Sequence, residues 1–156
     1  MEVRKFRKGE EKELWNLFYN TIHNVNNQDY DKSQIAAWAP DDLDINIAIQ
    51  KFREIDPFVV IKEGKIVGYA DIQPDGYIDH FYCHHEFQRQ GIGRTLFAAL
   101  EQEARENGIL EMYSNVSITA RPFFEAMGFS VEKEQVLQMR DQQLKNYKMV
   151  REHGHS

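Results

Sequence analysis

Gln88-Arg89-Gln90-Gly91-Ile92-Gly93-Arg94-Thr95 joins a β-rich run, Tyr77 to Cys83, to an amphipathic helix with apolar residues at Ile92, Leu96, Phe97, Leu100 and Ala104. A strand that turns through glycines into a helix start makes a site for an anion, above all a pyrophosphate. The first amides of a helix have no intrahelical carbonyl to bond, and the helix dipole adds partial positive charge there. Gly91 and Gly93 lack the Cβ that would hold a ligand away from those amides. Two other phosphate patterns fail on spacing. Leu96 stands where a dinucleotide fingerprint has its third glycine, and no Lys-Ser or Lys-Thr pair follows the glycines to close a P-loop.

Outward from this junction, the pattern alternates between the strand and helix periods. Phe58 to Ile61, a Glu63-Gly64 turn and Ile66 to Ile72 read as a hairpin; Pro74-Asp75-Gly76 turns the chain into Tyr77 to Cys83, completing a three-strand antiparallel meander. Before it, Val3 to Phe6 read as a short strand, and Leu14, Trp15, Leu17, Phe18, Ile22 and Val25 form a helical stripe. Asn24 to Lys32 is polar and turn-rich. Ile35 to Trp38, stopped by Pro40, and Leu43 to Phe52 read as further helices, expected over the sheet edge. After it, Glu101 and Arg105 pair at i,i+4 and Asn107-Gly108 ends the helix. A strand at Glu111 to Val116 follows, then a helix from Thr119 to Met127 with Pro122 in its first turn, and a hairpin of Ser130 to Met139 with Lys145 to Arg151. The expected fold class is α/β of the α+β kind: a central mixed, mainly antiparallel sheet flanked by helices.

The chain has 156 residues and 42% hydrophobic content, enough for one core and short of two, so a single domain is expected over 1–151 with a flexible tail at 152–156. A net charge of −6 argues against a nucleic-acid partner, since phosphate contacts need a basic surface, and favours cationic substrates instead. The single cysteine, Cys83, excludes an internal disulfide and suits a reducing cytoplasm. The opening residues lack the apolar core of a signal peptide, and no run approaches the ~20 apolar residues of a membrane span. The expectation is a cytoplasmic protein with no membrane partner.

Phe81-Tyr82-Cys83-His84-His85-Glu86-Phe87-Gln88-Arg89-Gln90-Gly91-Ile92-Gly93, followed by Ala120-Arg121-Pro122-Phe123-Phe124-Glu125-Ala126-Met127-Gly128-Phe129, resembles the GNAT superfamily of N-acetyltransferases. Gln88 to Gly93 matches its pyrophosphate loop, and Ala120 to Phe129 its Ala-x-x-aromatic-aromatic-x-x-x-Gly-Phe segment. The two motifs stand in the family's order and span about half the chain. The resemblance implies acetyl-CoA as co-substrate. Its pyrophosphate would rest on amides from Arg89 to Thr95, with Gln88, Arg89, Gln90, Gly91, Ile92, Gly93, Arg94 and Thr95 forming the loop. Backbone groups of Phe81 and Cys83 would pair with the pantetheine arm, and Ser117 and Phe124 would border it.

Transfer to an amine requires loss of a proton, because an ammonium of pKa ~10.4 has no lone pair to attack a thioester. Strand alternation sets Tyr77, Asp79, Phe81 and Cys83 on one face and Ile78, His80 and Tyr82 on the other. In the family, residues acting on the amine occupy the positions of Tyr77 and Asp79. Asp79 is therefore the first candidate base and His80, better matched in intrinsic pKa, the second. A solvated or salt-bridged strand carboxylate is the plain alternative for Asp79. The family's usual acid, a tyrosine, is replaced here by Phe124, which leaves Ser117, Tyr113, a water or no dedicated acid. Tyr30 and Trp38 are expected to wall the acceptor pocket, with an apolar anchor as the alternative for Trp38. Cys83 has no base beside it and reads as a buried hydrophobe. His84 and His85, adjacent in an extended segment, should point apart and make poor metal co-ligands, so no metal is assigned.

The acceptor is expected to be a small-molecule amine or a peptide amine: a polyamine, an aminoglycoside-like cation or a basic peptide. A non-catalytic acyl-CoA-binding module is the main alternative, and a metal hydrolase built on Asp79, His80 and His84 a remote one. The terminal hairpin offers an edge for a homodimer, while the pattern leaves the oligomeric state open.

Overall fold

One strand, broken in its middle, belongs to two sheets. In the computed structural model, which describes residues 1–152, β1 (Glu2–Lys5), β2 (Phe58–Lys62), β3 (Lys65–Ala70) and β5 (Phe81–Cys83) form one sheet in the order β1-β2-β3-β5. β4 (Tyr77–Ile78), β6 (Glu111–Ser117), β7 (Ser130–Met139) and β8 (Gln142–Glu152) form the other, in the order β4-β6-β8-β7. The β4–β6 pair is parallel and the remaining pairs are antiparallel, so the sheet system is mixed, as the strand pattern implies. Glu152 closes β8 and is not part of a tail; the rest of the expected tail, 153–156, lies outside the described residues.

The run from Tyr77 to Cys83 is not the continuous strand its alternation predicts. Tyr77 and Ile78 pair with Tyr113 and Ser114, whereas Phe81 to Cys83 pair with Ala70, Tyr69 and Gly68. At the break, the amides of Asp79 and His80 donate to one oxygen of Asp71, at 3.1 and 2.6 Å, and Gln73 Nε2 donates to the other at 2.7 Å. Asp71 is fully buried. A side-chain acceptor thus replaces the ladder for two residues, and the two halves of the strand follow different neighbours.

β2 and β3 are apolar on both faces, so each face needs its own cover. Val60, Val67 and Ala70 pack with Ile92, Leu96 and Leu100 of α4 (Ile92–Glu106), the stripe read from the sequence. Val59, Ile66 and Tyr69 pack with Leu14, Phe18 and Ile22 of α1 (Glu11–Asn24) and with Phe52 and Ile55 of α3 (Ile45–Ile55). The early helices therefore cover a sheet face rather than an edge. Between them, α2 (Lys32–Trp38) starts earlier than expected because Asp31 and Gln34 form a reciprocal capping box. α5 (Arg121–Ala126) carries Pro122 in its first turn. No helix among the described residues is long and apolar enough to cross a membrane.

Replacing Asp71 with Ala leaves two half-buried amides without an acceptor, at up to about 1–3 kcal/mol each. Thermal unfolding of Asp71→Ala should show a clear fall in Tm; an unchanged Tm would remove the carboxylate from its place in the break.

Candidate active site

Beyond Ser114 the two sheets part. Ser114 Oγ donates to the Ile78 carbonyl at 2.7 Å, closing the last link between β4 and β6, and β5 and the end of β6 diverge from there. His84 N donates to the Val67 carbonyl and Asp71 N to that of His80, so on the β5 side of this antiparallel ladder the bonded pairs fall on even-numbered residues. The backbone groups of Phe81 and Cys83 consequently face the gap. The Cys83 carbonyl is already occupied, by Thr21 Oγ1 and Gln88 Nε2, both at 2.9 Å. The Phe81 amide and carbonyl and the Cys83 amide are left directed into the cleft.

At the far end of the gap, Gly91 is the N-cap of α4 with φ 81°, and the first helical amide to find a carbonyl is that of Thr95, bonded to Gly91 O at 3.1 Å. The amides of Ile92, Gly93 and Arg94 precede it, without intrahelical partners. A Cβ on Gly91 would meet no protein atom within 4 Å, so its outer side is open to a ligand. Gly93 is constrained differently: a Cβ there would lie 2.8 Å from the Phe123 ring, so this glycine lets α5 pack on α4 and does not serve anion approach alone. Arg89 also adopts a left-handed conformation, φ 62°, which turns the loop back on itself.

The gap is a cavity of about 470 Å³. Of the residues assigned to the coenzyme from sequence, Phe81, Cys83, Gln88, Arg89, Gly91, Ile92, Gly93, Arg94, Ser117 and Phe124 line it. Gln90 and Thr95 do not: Gln90 accepts from Lys62 Nζ at 2.7 Å and the Thr95 hydroxyl folds back on Gly91 O at 2.9 Å. Thr21 and Asn26, brought in by α1 and the turn after it, also line the cavity and were not legible from any local motif.

A second cavity of about 490 Å³ opens between α1, α2, α3 and the end of the β7–β8 hairpin. Tyr77, Tyr30 and His80 belong to it alone, whereas Asp79, Tyr82, Trp38, Asn115 and Ser117 border both spaces. Asp79 holds Lys51 Nζ at 2.6 Å, a pair that sequence separation conceals. Burial pulls the Lys51 ammonium down, but the hydrogen bond and charge of Asp79 outweigh it, leaving the net shift upward. His80 is pushed down to about 4 by burial, with Nδ1 3.0 Å from the Tyr69 hydroxyl and its ring stacked 5.6 Å from Phe18. Tyr77, raised by burial, accepts from Asn115 at 3.3 Å. Tyr30 spends its hydroxyl on structure, donating to the Lys145 carbonyl at 2.6 Å and accepting from Ile118 N at 3.0 Å, and offers the cavity only its ring. Cys83 is pushed up to about 12 by burial, as suits a packed thiol.

The profile of the Acetyltransferase (GNAT) domain matches residues 26–150. The chain belongs to the GNAT acetyltransferase family. It is 28% identical over 149 residues to the uncharacterized N-acetyltransferase YafP of Escherichia coli strain K12, covering 96% of this chain and 94% of that one. Among solved structures it resembles a GCN5-related N-acetyltransferase of Rhodopseudomonas palustris, with TM-score 0.91, 24% identity and coverage of 97% and 94%. It also resembles the PaiA N-acetyltransferase of Thermoplasma acidophilum, solved in complex with coenzyme A, with TM-score 0.79, 16% identity and coverage of 97% and 98%.

Within this GNAT fold Phe124 is a core residue, 3% exposed, with its ring 5.5 Å from Phe81 and 5.1 Å from Phe129. Of the hydroxyls considered in its stead, Tyr113 is outside both cavities, donating to Asp75 at 2.6 Å. Ser117 is at their border, accepting from Ala120 N at 3.0 Å. Tyr82, which alternation sets on the far face, reaches the same border beside Trp38; burial raises its phenol strongly. His84 and His85 do not point apart: the strand ends at Cys83, His84 caps a 3₁₀ turn through Glu86 N, and the two rings stack at 4.7 Å. Their nearest grouping is with Glu86, so Asp79, His80 and His84 form no common ligand set among the described residues.

His80 supplies a pH test. Its folded pKa lies below the free value of 6.5, so its contribution to stability is present above pH 6.5 and lost as pH falls towards about 4. Asp71 runs the other way: raised by burial from 3.8 to about 6, its contribution is present below 3.8 and lost as pH rises through 6. His80→Gln removes only the first term. Measured by denaturant unfolding, the variant should gain on wild type as pH drops from 6.5, by up to about 3 kcal/mol near pH 4; a constant difference would show that His80 is not buried neutral.

Proposed function

We propose that the protein transfers the acetyl group of acetyl-CoA to the primary amine of an acceptor, by direct attack in a ternary complex. The observation that carries this reading is the meeting of two cavities at Asp79, one ending on the open amides of the Gly91 turn and the other walled by the early helices. The residues present fit the coenzyme. Unpaired amides with an open side at Gly91 suit a diphosphate, and the outward amide and carbonyl of Phe81 with the Cys83 amide suit an amide-bearing arm laid along the strand edge. The solved PaiA complex with coenzyme A on the same fold supports the assignment.

Bound acetyl-CoA supplies an electrophilic thioester carbonyl. The chain's own groups then have two tasks. Asp79 accepts the ammonium proton of the acceptor, directly or through a water, once the acceptor displaces Lys51 from it; His80 takes no part, because it lines only the second cavity and its Nδ1 is engaged with the Tyr69 hydroxyl. An amide directed into the cleft from β5 donates to the carbonyl oxygen as negative charge grows there. The thiolate that departs is stable enough to leave unassisted near neutral pH, and the protonated phenol of Tyr82 or the Ser117 hydroxyl can return a proton to it. The lack of a hydroxyl at Phe124 favours a second reading, a module that binds acyl-CoA without turning it over.

One set of measurements separates the two. Acetyl-CoA should raise the Tm of the wild type, and Gly91→Val, which fills the open side of the turn, should abolish that protection; full protection in the variant would remove the loop assignment. Asp79→Asn should keep the protection while slowing free-thiol release by about 10²–10⁴-fold. A wild-type rate in Asp79→Asn would strike the carboxylate from the mechanism, and protection without thiol release from any amine would favour the binding module.

A further inference from the structure

We propose that the acceptor is a monoamine on an apolar, ring-sized body, held in the second cavity. The inference rests on the acetyltransferase reading for the word acceptor, and on the cavity alone for the chemistry of what binds. Its wall is dominated by Trp15, Phe18, Trp38, Leu43, Met139 and Leu144. A volume of about 490 Å³ lies within the range of small-molecule pockets and exceeds what a bare ammonium or a short alkyl chain fills.

The charged groups bordering this cavity are Lys51, Asp79 and Arg140. Lys51 and Asp79 neutralise each other at 2.6 Å, and Arg140 donates to the Ala37 carbonyl, so the sum is one positive charge. An incoming ammonium can take the place of Lys51 on Asp79. A second ammonium on the same molecule finds no further carboxylate in the wall and meets Arg140 and the displaced Lys51. The net −6 of the chain, which on sequence grounds favours polycations, is therefore carried elsewhere on the surface. Local charge decides the match, because exposed charges more than ~10 Å away are screened at ordinary ionic strength.

A second feature points to a ligand. Asn146 is 9% exposed, and its Oδ1 is buried with no hydrogen-bond partner. Asn146 lines the second cavity and is the cross-strand partner of Ser117, one of the residues that border both cavities. A buried acceptor left unpaired is costly unless something donates to it. An N–H of the acceptor amine, seated near the junction with its apolar body among the aromatic rings, meets that need.

The chain's two tryptophans, Trp15 and Trp38, both line this cavity, so its occupancy can be read by intrinsic fluorescence without any turnover. Titration with 2-phenylethylamine at fixed ionic strength should give a saturable change, with an apparent Kd at least tenfold below that for spermidine. Asn146→Leu should weaken 2-phenylethylamine by about three- to tenfold, the range expected for one hydrogen bond. Should that buried substitution fail to fold, Ile47→Asp serves instead: Ile47 lies on the rim, 59% exposed, and a carboxylate there should erase the preference over spermidine. Equal or tighter binding of spermidine to the wild type, or no saturable signal with 2-phenylethylamine, would overturn the proposal. Saturable binding with no thiol release from acetyl-CoA would leave the ligand class standing and remove the acetyltransferase reading.

Discussion

The carboxylate of Asp71 accepts the amides of Asp79 and His80 inside the protein, and the fork in the sheet depends on that contact. A β-strand keeps its neighbours as long as its amides find backbone carbonyls. Here two consecutive amides find a side chain instead, so the strand is free to change partners, leaving β6 behind after Ile78 and joining β3 by Phe81. Because β6 runs on to Ser117 with β8 on its far side and no strand on its near side, the backbone groups of Phe81 and Cys83 that a neighbouring strand would have used face open space. The cleft is thus a missing strand, and a ligand with amides of its own is the natural substitute.

Burying that carboxylate has electrostatic consequences for its neighbours. Asp71 is raised to about 6 by desolvation despite the hydrogen bonds from His80, Gln73 and Asp79 that favour its charge. His80, one residue past the break, is driven neutral by the same apolar surroundings. Asp79, next to His80 in the chain, borders both cavities and finds a half-exposed cation, Lys51, for a partner. Three adjacent polar groups therefore hold three different positions. One fixes the backbone, one packs as a neutral ring against Phe18 and Tyr69, and one is accessible to ligands on either side.

Much of the fold was legible because its signals are local. The glycine turn into α4, the helical stripe beneath it, the Glu63-Gly64 hairpin and the Pro122 helix start are each fixed by residues a few positions apart. The break in the strand was not, since Asp71 is eight and nine residues from the amides it holds and period-two alternation continues smoothly across the gap. The Lys51–Asp79 pair, the return of Thr21 to the Cys83 carbonyl and the arrival of Asn26 beside Ser117 are likewise tertiary. The stacking of His84 on His85 was misjudged for a simpler reason: alternation of side chains holds only while the backbone is extended, and the extension ends at Cys83.

Gly93 and the two phenylalanines of α5 constrain each other in a way that bears on the absent hydroxyl. Gly93 leaves room for Phe123, whose ring would stand 2.8 Å from a Cβ at that position, so α5 is seated directly on α4. That seating presses Phe124 into the core against Phe81 and Phe129, in a shell where a phenol would need a partner. The hydroxyls that border both cavities come instead from β5 and β6, as Tyr82 and Ser117. On the proposed mechanism the departing sulfur demands little of them, since a thiolate is a good leaving group near neutral pH, whereas removal of the amine proton is unavoidable. Selection of chemistry in this site therefore falls on the acceptor side of the junction, where Asp79 and Lys51 meet, rather than on the helix that carries Phe124.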